Sequence, residues 1–367
     1  MNSVVITGTG RYEPTIIVEN EEFLNRQFFN EDGSISKKDV AETVRKFEEL
    51  TNIKKRKYLA PKLVTSDMAA VAANKALRLA DIADMELNKI IVAHNFGDVK
   101  YGSTQSDFVP SLASRVKNKL GMLNPSIVAQ DLNFGCPGWL EGVINAYKDI
   151  KDNPKGKALV IGAESLSRVS DPFDIDSMIY ADGAGAVVLE TIDTPEKMGI
   201  ISHLTHTYAV EGADMLTKGS SYKPGYMPSS SFLKMNGHDV YLFAIDKVPK
   251  LIKEHLDNSG ISPSDISKVV IHQANQKMDE KILQKLKRKY KGYEFNKNLM
   301  PMIIENYGNS SVATIPTLFD LMARGELSGH DDLKKGDLLL FTSIGAGMNI
   351  NSMLYRLHQD LADYRNN

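Results

Sequence analysis

The chain has 367 residues, of which 42% are hydrophobic and 25% charged; this balance is typical of a globular protein, and the length predicts two domains or one doubled domain. A formal net charge of −2 argues against general nucleic-acid binding, and no apolar run approaches the ~18 residues that a membrane span needs. The single cysteine, Cys136, excludes an intrachain disulfide, and the N-terminal segment lacks signal-peptide character, so we expect a cytoplasmic protein.

Short β-branched runs alternate with helical patterns along the chain. Runs typical of strands buried on both faces cover residues 4–10, 89–95, 126–132, 158–165 and 183–190 in the first half, and 269–275, 300–308 and 337–345 in the second. Helical patterns cover residues 66–80, 239–256 and 277–291. This alternation predicts an α/β protein of βαβ units with largely parallel sheets. The stretch 211–231, rich in Gly, Ser and Pro, is predicted as a long loop.

Three segments of the first half recur in the same order in the second half. LNKIIVAHN (87–95) resembles ISKVVIHQAN (266–275), and KGKALVIGAES (155–165) resembles KGDLLLFTSIG (335–345). Between them, DLNFGCPG resembles IENYGNSS and pairs Cys136 with Asn309, an offset of 173 residues (309 − 136). Such a repeat predicts a duplicated α/β unit with equivalent strand ends near a pseudo-twofold axis. We therefore expect Cys136, His272 and Asn309 to converge.

Cys136 lies between a predicted strand and a helical pattern formed by Trp139, Leu140, Val143, Ile144 and Tyr147. Pro137 suits a first helical position, so Cys136 would stand at the helix entrance, where backbone N–H groups and the helix dipole stabilise a thiolate. Taken singly, a free cysteine is more often a small buried hydrophobe, a histidine such as His272 a satisfied core residue, and Asn309 a turn or cap residue. Their pairing through the repeat favours a shared site.

The segments FGCPG, HQAN (272–275), YGNSS (307–311), YADGAGAVVLE (180–190) and IGAGMN (344–349) resemble the thiolase superfamily. Their order and spacing are most similar to the β-ketoacyl-acyl carrier protein synthase III group, over essentially the whole chain. The resemblance implies a thiolase fold, which has five αβαβα layers built from two pseudo-symmetric halves. Residues 1–195 would form the half with the nucleophile and residues 196–367 the half with His and Asn. The resemblance also implies that the protein forms a homodimer.

The resemblance implies a role for each motif residue. Cys136 would attack an acyl thioester and hold the acyl group, and the oxyanion would lie between the N–H groups of Cys136 and Ala346. His272 and Asn309 would donate hydrogen bonds to the thioester oxygen of the second substrate as it becomes an enolate. No metal or redox cofactor is expected, because the acyl groups would be carried on phosphopantetheine.

Other readings of the same residues make different predictions. Thiolases use a second catalytic cysteine, which this chain lacks. A papain-like hydrolase also uses Cys, His and Asn in that order, but it would show a different signature around the cysteine and usually disulfides. An inactive scaffold of the same fold would leave Cys136 inert, and a thiol-reactivity assay separates that reading from an enzyme.

The sequence departs from acetyl-CoA-using relatives where they bind the adenine. Lys46 and Leu50 stand where those relatives carry Trp and Arg, and Ile175 replaces a further Arg, whereas Lys277 keeps the basic character after HQAN. Lys277, Lys281 and Lys285 belong to a basic helical pattern, which by itself is most often a solvated face. In this family the helix borders the tunnel mouth, so we expect these lysines to dock an acidic acyl carrier protein.

The expected activity is an acyltransferase that performs Claisen condensation between a Cys-bound acyl group and a malonyl or β-ketoacyl carrier-protein thioester. The missing adenine contacts favour secondary metabolism of the dialkylresorcinol type. The alternative is a housekeeping synthase that starts fatty-acid synthesis from acyl-CoA and malonyl carrier protein. The segment 103–121 resembles one that crosses the dimer interface, where Phe108 or Val109 would cap the partner's acyl tunnel.

Overall fold

The structure is a computed structural model that describes residues 1–82, 86–296 and 298–365. Its strands are β1 (Asn2–Tyr12), β2 (Ile16–Glu19), β3 (Lys55–Tyr58), β4 (Lys89–Ala93), β5 (Val128–Leu132), β6 (Lys157–Ser165), β7 (Asp182–Asp193), β8 (Gly199–Thr207), β9 (Leu216–Gly219), β10 (Phe232–Met235), β11 (Ile266–Ile271), β12 (Leu338–Gly345) and β13 (Asn349–Arg356). Its helices are α1 (Val40–Thr51), α2 (Thr65–Leu79), α3 (Leu112–Lys119), α4 (Gly138–Ile150), α5 (Ala209–Gly212), α6 (Gly237–Ser259), α7 (Gln276–Lys289), α8 (Ile304–Tyr307) and α9 (Thr314–Ala323).

Two mixed sheets form the frame of the molecule. The first has the order β1-β7-β6-β4-β5, in which β4 runs parallel to β5 and β6, and β7 runs antiparallel to β6 and β1. The second has the order β11-β12-β13-β8, in which only the β11–β12 pair is parallel. The prediction of largely parallel sheets is therefore wrong. The turn at 346–348 returns β13 directly beside β12, and a turn that short can join only antiparallel neighbours.

Helices α4 and α9 lie between the two sheets. Their apolar side chains form one buried core with the facing sides of both sheets, which includes Trp139, Val143, Leu318, Phe319, Val160, Leu189, Phe341 and Met353. Outside the first sheet pack α2 and α3, and outside the second pack α6 and α7. The expected five αβαβα layers are thus confirmed. Strands of the first sheet come from residues 2–193 and those of the second from 199–356; the domain boundary between 195 and 196 stays a prediction.

The segment 300–308 is not the strand that its apolar pattern predicts. It is an extended run followed by α8, and the side chain of Gln273 takes the place of a neighbouring strand. Gln273 Nε2 donates to the carbonyl of Pro301 at 2.9 Å, and its Oε1 accepts from the backbone N–H groups of Ile303 and Ile304 at 2.8 and 3.0 Å. Because one side chain satisfies these backbone groups, the segment is buried without joining the sheet.

The stretch 211–231 is only partly a loop. Strand β9 lies within it and pairs antiparallel with β10, so the irregular part is 220–231. Strands β8 and β13 also escaped prediction, because Ser, His and Asn interrupt their apolar positions. Helix α4 follows its predicted pattern: Trp139, Leu140, Val143 and Ile144 are buried.

Candidate active site

Cys136 lies where two loops approach each other closely. It follows β5 and precedes α4, which begins at Gly138, one residue later than expected from Pro137. Gly135 has a φ of +66°, and a Cβ there would lie 2.7 Å from the backbone N of Ala346. A Cβ on Gly345 would lie 2.5 Å from the backbone N of Cys136. Glycine at both positions lets the loops meet backbone to backbone and brings the N–H groups of Cys136 and Ala346 to one place.

His272 and Asn309 are held by backbone hydrogen bonds from neighbouring elements. His272 follows β11, and its N–H donates to the carbonyl of Thr342 at 3.0 Å. The N–H of Asn309 donates to the Ile179 carbonyl at 2.9 Å, and the Asn309 carbonyl accepts from the Ala181 N–H at 2.8 Å. These contacts leave both side chains free to face a shared space.

One cavity of about 440 Å³ is lined by Cys136, His272, Asn309 and Ala346. The remaining wall is largely apolar and includes Phe96, Leu166, Leu216, Leu233, Ile344 and Met348. The structure thus brings together the residues that the repeat and the motifs single out. An apolar chamber with a few convergent polar groups can hold an acyl chain and orient a reactive carbonyl.

The environment of the Cys136 thiol opposes easy ionisation. Burial raises the pKa of Cys136 to about 11, and a hydrogen bond from the Ser311 hydroxyl, 3.3 Å from Sγ, lowers it. The negative charge of Glu164 raises the pKa further. The expected stabilisation of a thiolate at the entrance of α4 therefore acts against a larger cost of removing the charge from water.

His272 is neutral at neutral pH, because burial lowers its pKa to about 4. A neutral imidazole can donate one hydrogen bond to a substrate oxygen. The side-chain Oδ1 of Asn309 accepts from the backbone N–H of Ser311 at 2.8 Å. Since its oxygen is engaged, the amide nitrogen of Asn309 is left to donate. Both groups therefore have the hydrogen-bonding polarity that an enolate oxygen requires.

An outer cavity of about 620 Å³ adjoins the inner one. The two share lining residues, namely Met235, Val240, Ala274, Met278 and Asn309. The positions that depart from acetyl-CoA-using relatives, Lys46, Leu50 and Ile175, all line the outer cavity. Lys37 and Lys38 lie at its exposed rim.

Comparisons with known proteins test the resemblance to the synthase III group. Residues 130–209 match the family described as 3-oxoacyl-[acyl-carrier-protein] synthase III, and residues 256–357 match its C-terminal part. A β-ketoacyl-[acyl-carrier-protein] synthase III of Microcystis aeruginosa is 32% identical over 366 residues, covering 96% of this chain and 97% of the relative. The chain belongs to the β-ketoacyl-[acyl-carrier-protein] synthase III family.

Further comparisons agree with this assignment. The Clostridium perfringens synthase III is 30% identical over 362 residues, covering 97% of this chain and all of the relative. The crystal structure of the Aquifex aeolicus synthase III matches with a TM-score of 0.76 and 26% identity, over 96% of this chain and 100% of that one. This synthase III-like chain is therefore a condensing acyltransferase. The papain-like and inactive-scaffold readings are excluded.

Other predicted residues of this synthase III-like enzyme lie away from the inner cavity. Lys277 is exposed at the start of α7, just beyond Asn275 in the outer-cavity wall, and Lys281 and Lys285 follow along the same helix half-buried. Phe108 and Val109 are 46% and 85% exposed and do not line the cavity of their own chain. Their expected contact with a partner's tunnel, and the docking role of the lysines, stay predictions.

Sequence reasoning missed four polar residues around the two cavities. Ser311, half-buried Asn95 and buried Glu164 form a hydrogen-bonded group beside Cys136, and Asp176 lines the outer cavity. Glu164 gave a usable signal, because it is a carboxylate inside the otherwise apolar run of β6. The described residues contain no group of three or more His, Cys, Asp or Glu side chains that could hold a metal ion. Among them, no helix is long and apolar enough to cross a membrane.

Proposed function

We propose that Cys136 accepts an acyl group from a carrier-protein thioester, and that this group then condenses with a second carrier-protein thioester, malonyl or β-ketoacyl. The observation that carries the proposal is the single cavity lined by Cys136, His272 and Asn309. Its geometry supports a two-step reaction in which the acyl group waits on sulfur while the second substrate is activated a few ångströms away.

In the first half-reaction the sulfur of Cys136 attacks the thioester carbonyl. The C–S bond to the donor breaks, and the thiol proton of Cys136 ends on the departing thiol. The oxyanion of the tetrahedral intermediate would lie between the N–H groups of Cys136 and Ala346, whose loops touch at Gly135 and Gly345. The apolar wall would hold the acyl chain of the intermediate away from water.

In the second half-reaction His272 and Asn309 donate hydrogen bonds to the carbonyl oxygen of the second thioester. Loss of CO2 from a malonyl unit, or transfer of a proton from a β-ketoacyl unit to solvent water, leaves an enolate whose charge these donors stabilise. The enolate carbon attacks the acyl carbon on Cys136, the C–C bond forms, and the bond from that carbon to sulfur breaks. Cys136 then takes up a proton.

The outer cavity supports delivery by a carrier protein over delivery by coenzyme A. Its wall carries Leu50 and Ile175, which offer no contact for nucleotide phosphates, and the carboxyl group of Asp176. Lys46 in the same wall is already paired with the carboxylate of Glu42. Burial, with the charge of Asp174, raises the pKa of Asp176 to about 7, so the carboxyl is largely ionised above that pH and repels phosphate. The exposed lysines Lys37 and Lys38 line the rim, and exposed Lys277 lies in the chain between the lining residues Asn275 and Met278, so an acidic protein would meet positive charge there.

We also propose a homodimer that pairs along β5, in a reducing cytoplasm that keeps Cys136 a free thiol. Strand β5 is an edge of the first sheet, and unpaired edges are usually covered. Nearby, Val109, Leu123 and Val128 are 85%, 91% and 56% exposed, an unusual density of bare apolar side chains. A second copy of the chain that covers this face would contact Val109 and its neighbour Phe108, in keeping with their expected position at the partner's acyl tunnel.

Two products fit this chemistry. Joining two β-ketoacyl units, as in dialkylresorcinol formation, is favoured by the altered outer-cavity wall. The second candidate is a synthase that starts fatty-acid synthesis from acyl-CoA and malonyl carrier protein. It is favoured by the name β-ketoacyl-[acyl-carrier-protein] synthase III, which the Microcystis aeruginosa and Clostridium perfringens relatives share. The identity of the preferred acyl donor separates them.

The deciding experiment measures Cys136 loading by intact-protein mass spectrometry with the same acyl group on coenzyme A and on carrier protein. We expect faster loading from carrier protein. Replacing Lys277, Lys281 and Lys285 together with Glu should slow only that reaction. The matched control replaces Lys148, Lys151 and Lys155, three exposed lysines at and just beyond the C-terminal end of α4, the end away from Cys136. Equal loading from coenzyme A, with carrier-protein loading insensitive to the first set, would make the fatty-acid candidate the better one.

A further inference from the structure

Behind the sulfur of Cys136 lies a continuous line of hydrogen bonds to a buried carboxyl group. The Ser311 hydroxyl donates to Cys136 Sγ at 3.3 Å, and Asn95 Nδ2 donates to Ser311 Oγ at 3.1 Å. The carboxyl oxygen Oε2 of Glu164 accepts from both the backbone N–H and the Nδ2 of Asn95, at 2.8 and 2.9 Å. Ser311 and Glu164 are buried, at 3% and 0% exposure.

The polarity of this line is determined by its chemistry. An amide nitrogen can only donate, so Ser311 must accept from Asn95, and its single hydroxyl hydrogen is left to point at the sulfur. Above the pKa of Glu164, which is about 7, its carboxylate prevents the amide of Asn95 from turning over, because the flipped amide would set its oxygen against an oxygen that can only accept. The other oxygen of Glu164, Oε1, has no hydrogen-bond partner among the described residues. The orientation of the serine hydroxyl therefore depends on Asn95 and Glu164.

Ser311 also connects the nucleophile to the condensation donors. Its backbone has a φ of 54°, a left-handed conformation that non-glycine residues rarely adopt. In this conformation the N–H of Ser311 reaches Asn309 Oδ1 at 2.8 Å, while its hydroxyl reaches the sulfur of Cys136. One strained residue thus orients groups that serve the two half-reactions, which is a common use of local strain at active sites.

We propose that Ser311 is a catalytic residue whose hydroxyl holds the reacting sulfur of Cys136 in both half-reactions, and that Asn95 and Glu164 are positioning residues acting through it. The inference rests on the proposed role of Cys136 as nucleophile. In loading, the hydroxyl stabilises the sulfur as the thiol proton passes to the departing donor thiol. In condensation, it stabilises the same sulfur as the bond to the acyl carbon breaks and Cys136 leaves as a thiolate.

Other charged and titratable groups face these residues and stay unchanged in the test. Tyr180 and the neutral His272 lie around the sulfur, and His94 and Asp182 around Glu164. Burial raises the pKa of Glu164 to about 7. A hydroxyl donor lowers the pKa of the thiol that accepts from it, so losing Ser311 Oγ should raise the pKa of Cys136.

The test is the pH profile of Cys136 alkylation by iodoacetamide, which needs neither thioester nor carrier protein. Ser311→Ala should slow alkylation at pH 8 by about tenfold and move the inflection to higher pH. The matched control is Ser310→Ala, whose hydroxyl faces Thr314 Oγ1 at 3.4 Å and should leave the profile unchanged. If Ser311→Ala does not fold, Ser311→Gly makes the same deletion in a residue that accepts the φ of 54°.

A double-mutant cycle tests the positioning role of Asn95. Asn95→Ala should shift the profile in the same direction by less, and combining it with Ser311→Ala should add nothing further, because Asn95 acts through Ser311. Additive shifts would overturn that part of the proposal, and a wild-type profile for Ser311→Ala would overturn all of it.

Acylated enzyme separates this inference from the proposed function. Single-turnover condensation starting from acyl-Cys136 should also slow in Ser311→Ala and not in Ser310→Ala; equal rates would remove the second half-reaction from the role of Ser311. If Cys136 never acquires an acyl group, the proposed function fails, while the alkylation profiles still report on the hydrogen bond.

Discussion

The inner and outer cavities of this enzyme are built in different ways. The side chains proposed to act in the inner cavity belong to residues held by backbone hydrogen bonds, as His272 is by Thr342 and Asn309 is by Ile179 and Ala181. The outer cavity is bordered by exposed side chains of α1, including Lys46 and Leu50, and by the 175–179 segment. Displacing a reacting group by an ångström lowers the rate of the chemical step strongly. The outer wall contacts only the carrier of the acyl group, so a substitution there has a smaller effect on that rate. Geometry therefore constrains the inner cavity more tightly than the outer one.

The largest effect is expected for the nucleophile of the inner cavity. Cys136→Ala removes the only cysteine, so mass spectrometry after incubation with acyl thioesters should show one adduct on the wild type and none on the variant. Cys136→Ser is a useful companion that keeps the size of the side chain. An adduct that survives Cys136→Ala would place the acyl group on another residue and refute the role of Cys136.

The next effect separates the two half-reactions within the inner cavity. His272→Ala or Asn309→Ala should lower condensation by about 10²–10³-fold, the usual cost of losing one donor to a developing oxyanion. Loading of Cys136 should continue, because neither side chain touches the sulfur by hydrogen bond and His272 is neutral at working pH.

The control for this comparison is His238→Ala, an exposed histidine at the start of α6. It should leave both half-reactions unchanged. Equal loss of loading and condensation in His272→Ala would mean that His272 deprotonates the thiol of Cys136, which would revise the division of roles.

The smallest effect concerns the outer cavity. Asp176→Asn should raise the loading rate from acyl-CoA several-fold above pH 7 and leave loading from acyl carrier protein unchanged. The carboxyl of Asp176, whose pKa is about 7, is mostly neutral below that pH and charged above it, so repulsion of nucleotide phosphates grows as the pH rises. Wild type and variant should therefore converge at pH 6 and diverge at pH 8. Glu49→Gln, an exposed carboxylate of α1 that pairs with Arg45 and does not line the cavity, is the matched control. If the difference in acyl-CoA loading rate between wild type and Asp176→Asn does not change with pH, the effect is due to the shape of the side chain and not to its charge.

Much of the fold could be predicted because it depends on local pattern. The apolar period of α4, the β-branched runs of β4, β6 and β12, and the glycines around Cys136 act over a few residues each. The segment 300–308 escaped the same reasoning, because its backbone groups are satisfied by Gln273, a side chain from another part of the chain. Strand direction escaped it too, since buried strands have the same apolar pattern whether their neighbours are parallel or antiparallel.

The sequence by itself determined the duplicated architecture and the family, and it singled out Cys136, His272 and Asn309. Repeats and motifs can be recognised from the order of the residues alone. Tertiary structure alone decided what surrounds them. Ser311, Asn95 and Glu164 form one line to the sulfur only because residues far apart in the chain meet near the C-terminal ends of the parallel strands β4, β5 and β6. The burial that raises the pKa of Cys136 and lowers that of His272 also exists only after packing, since it reflects the loss of water and not the identity of the residue.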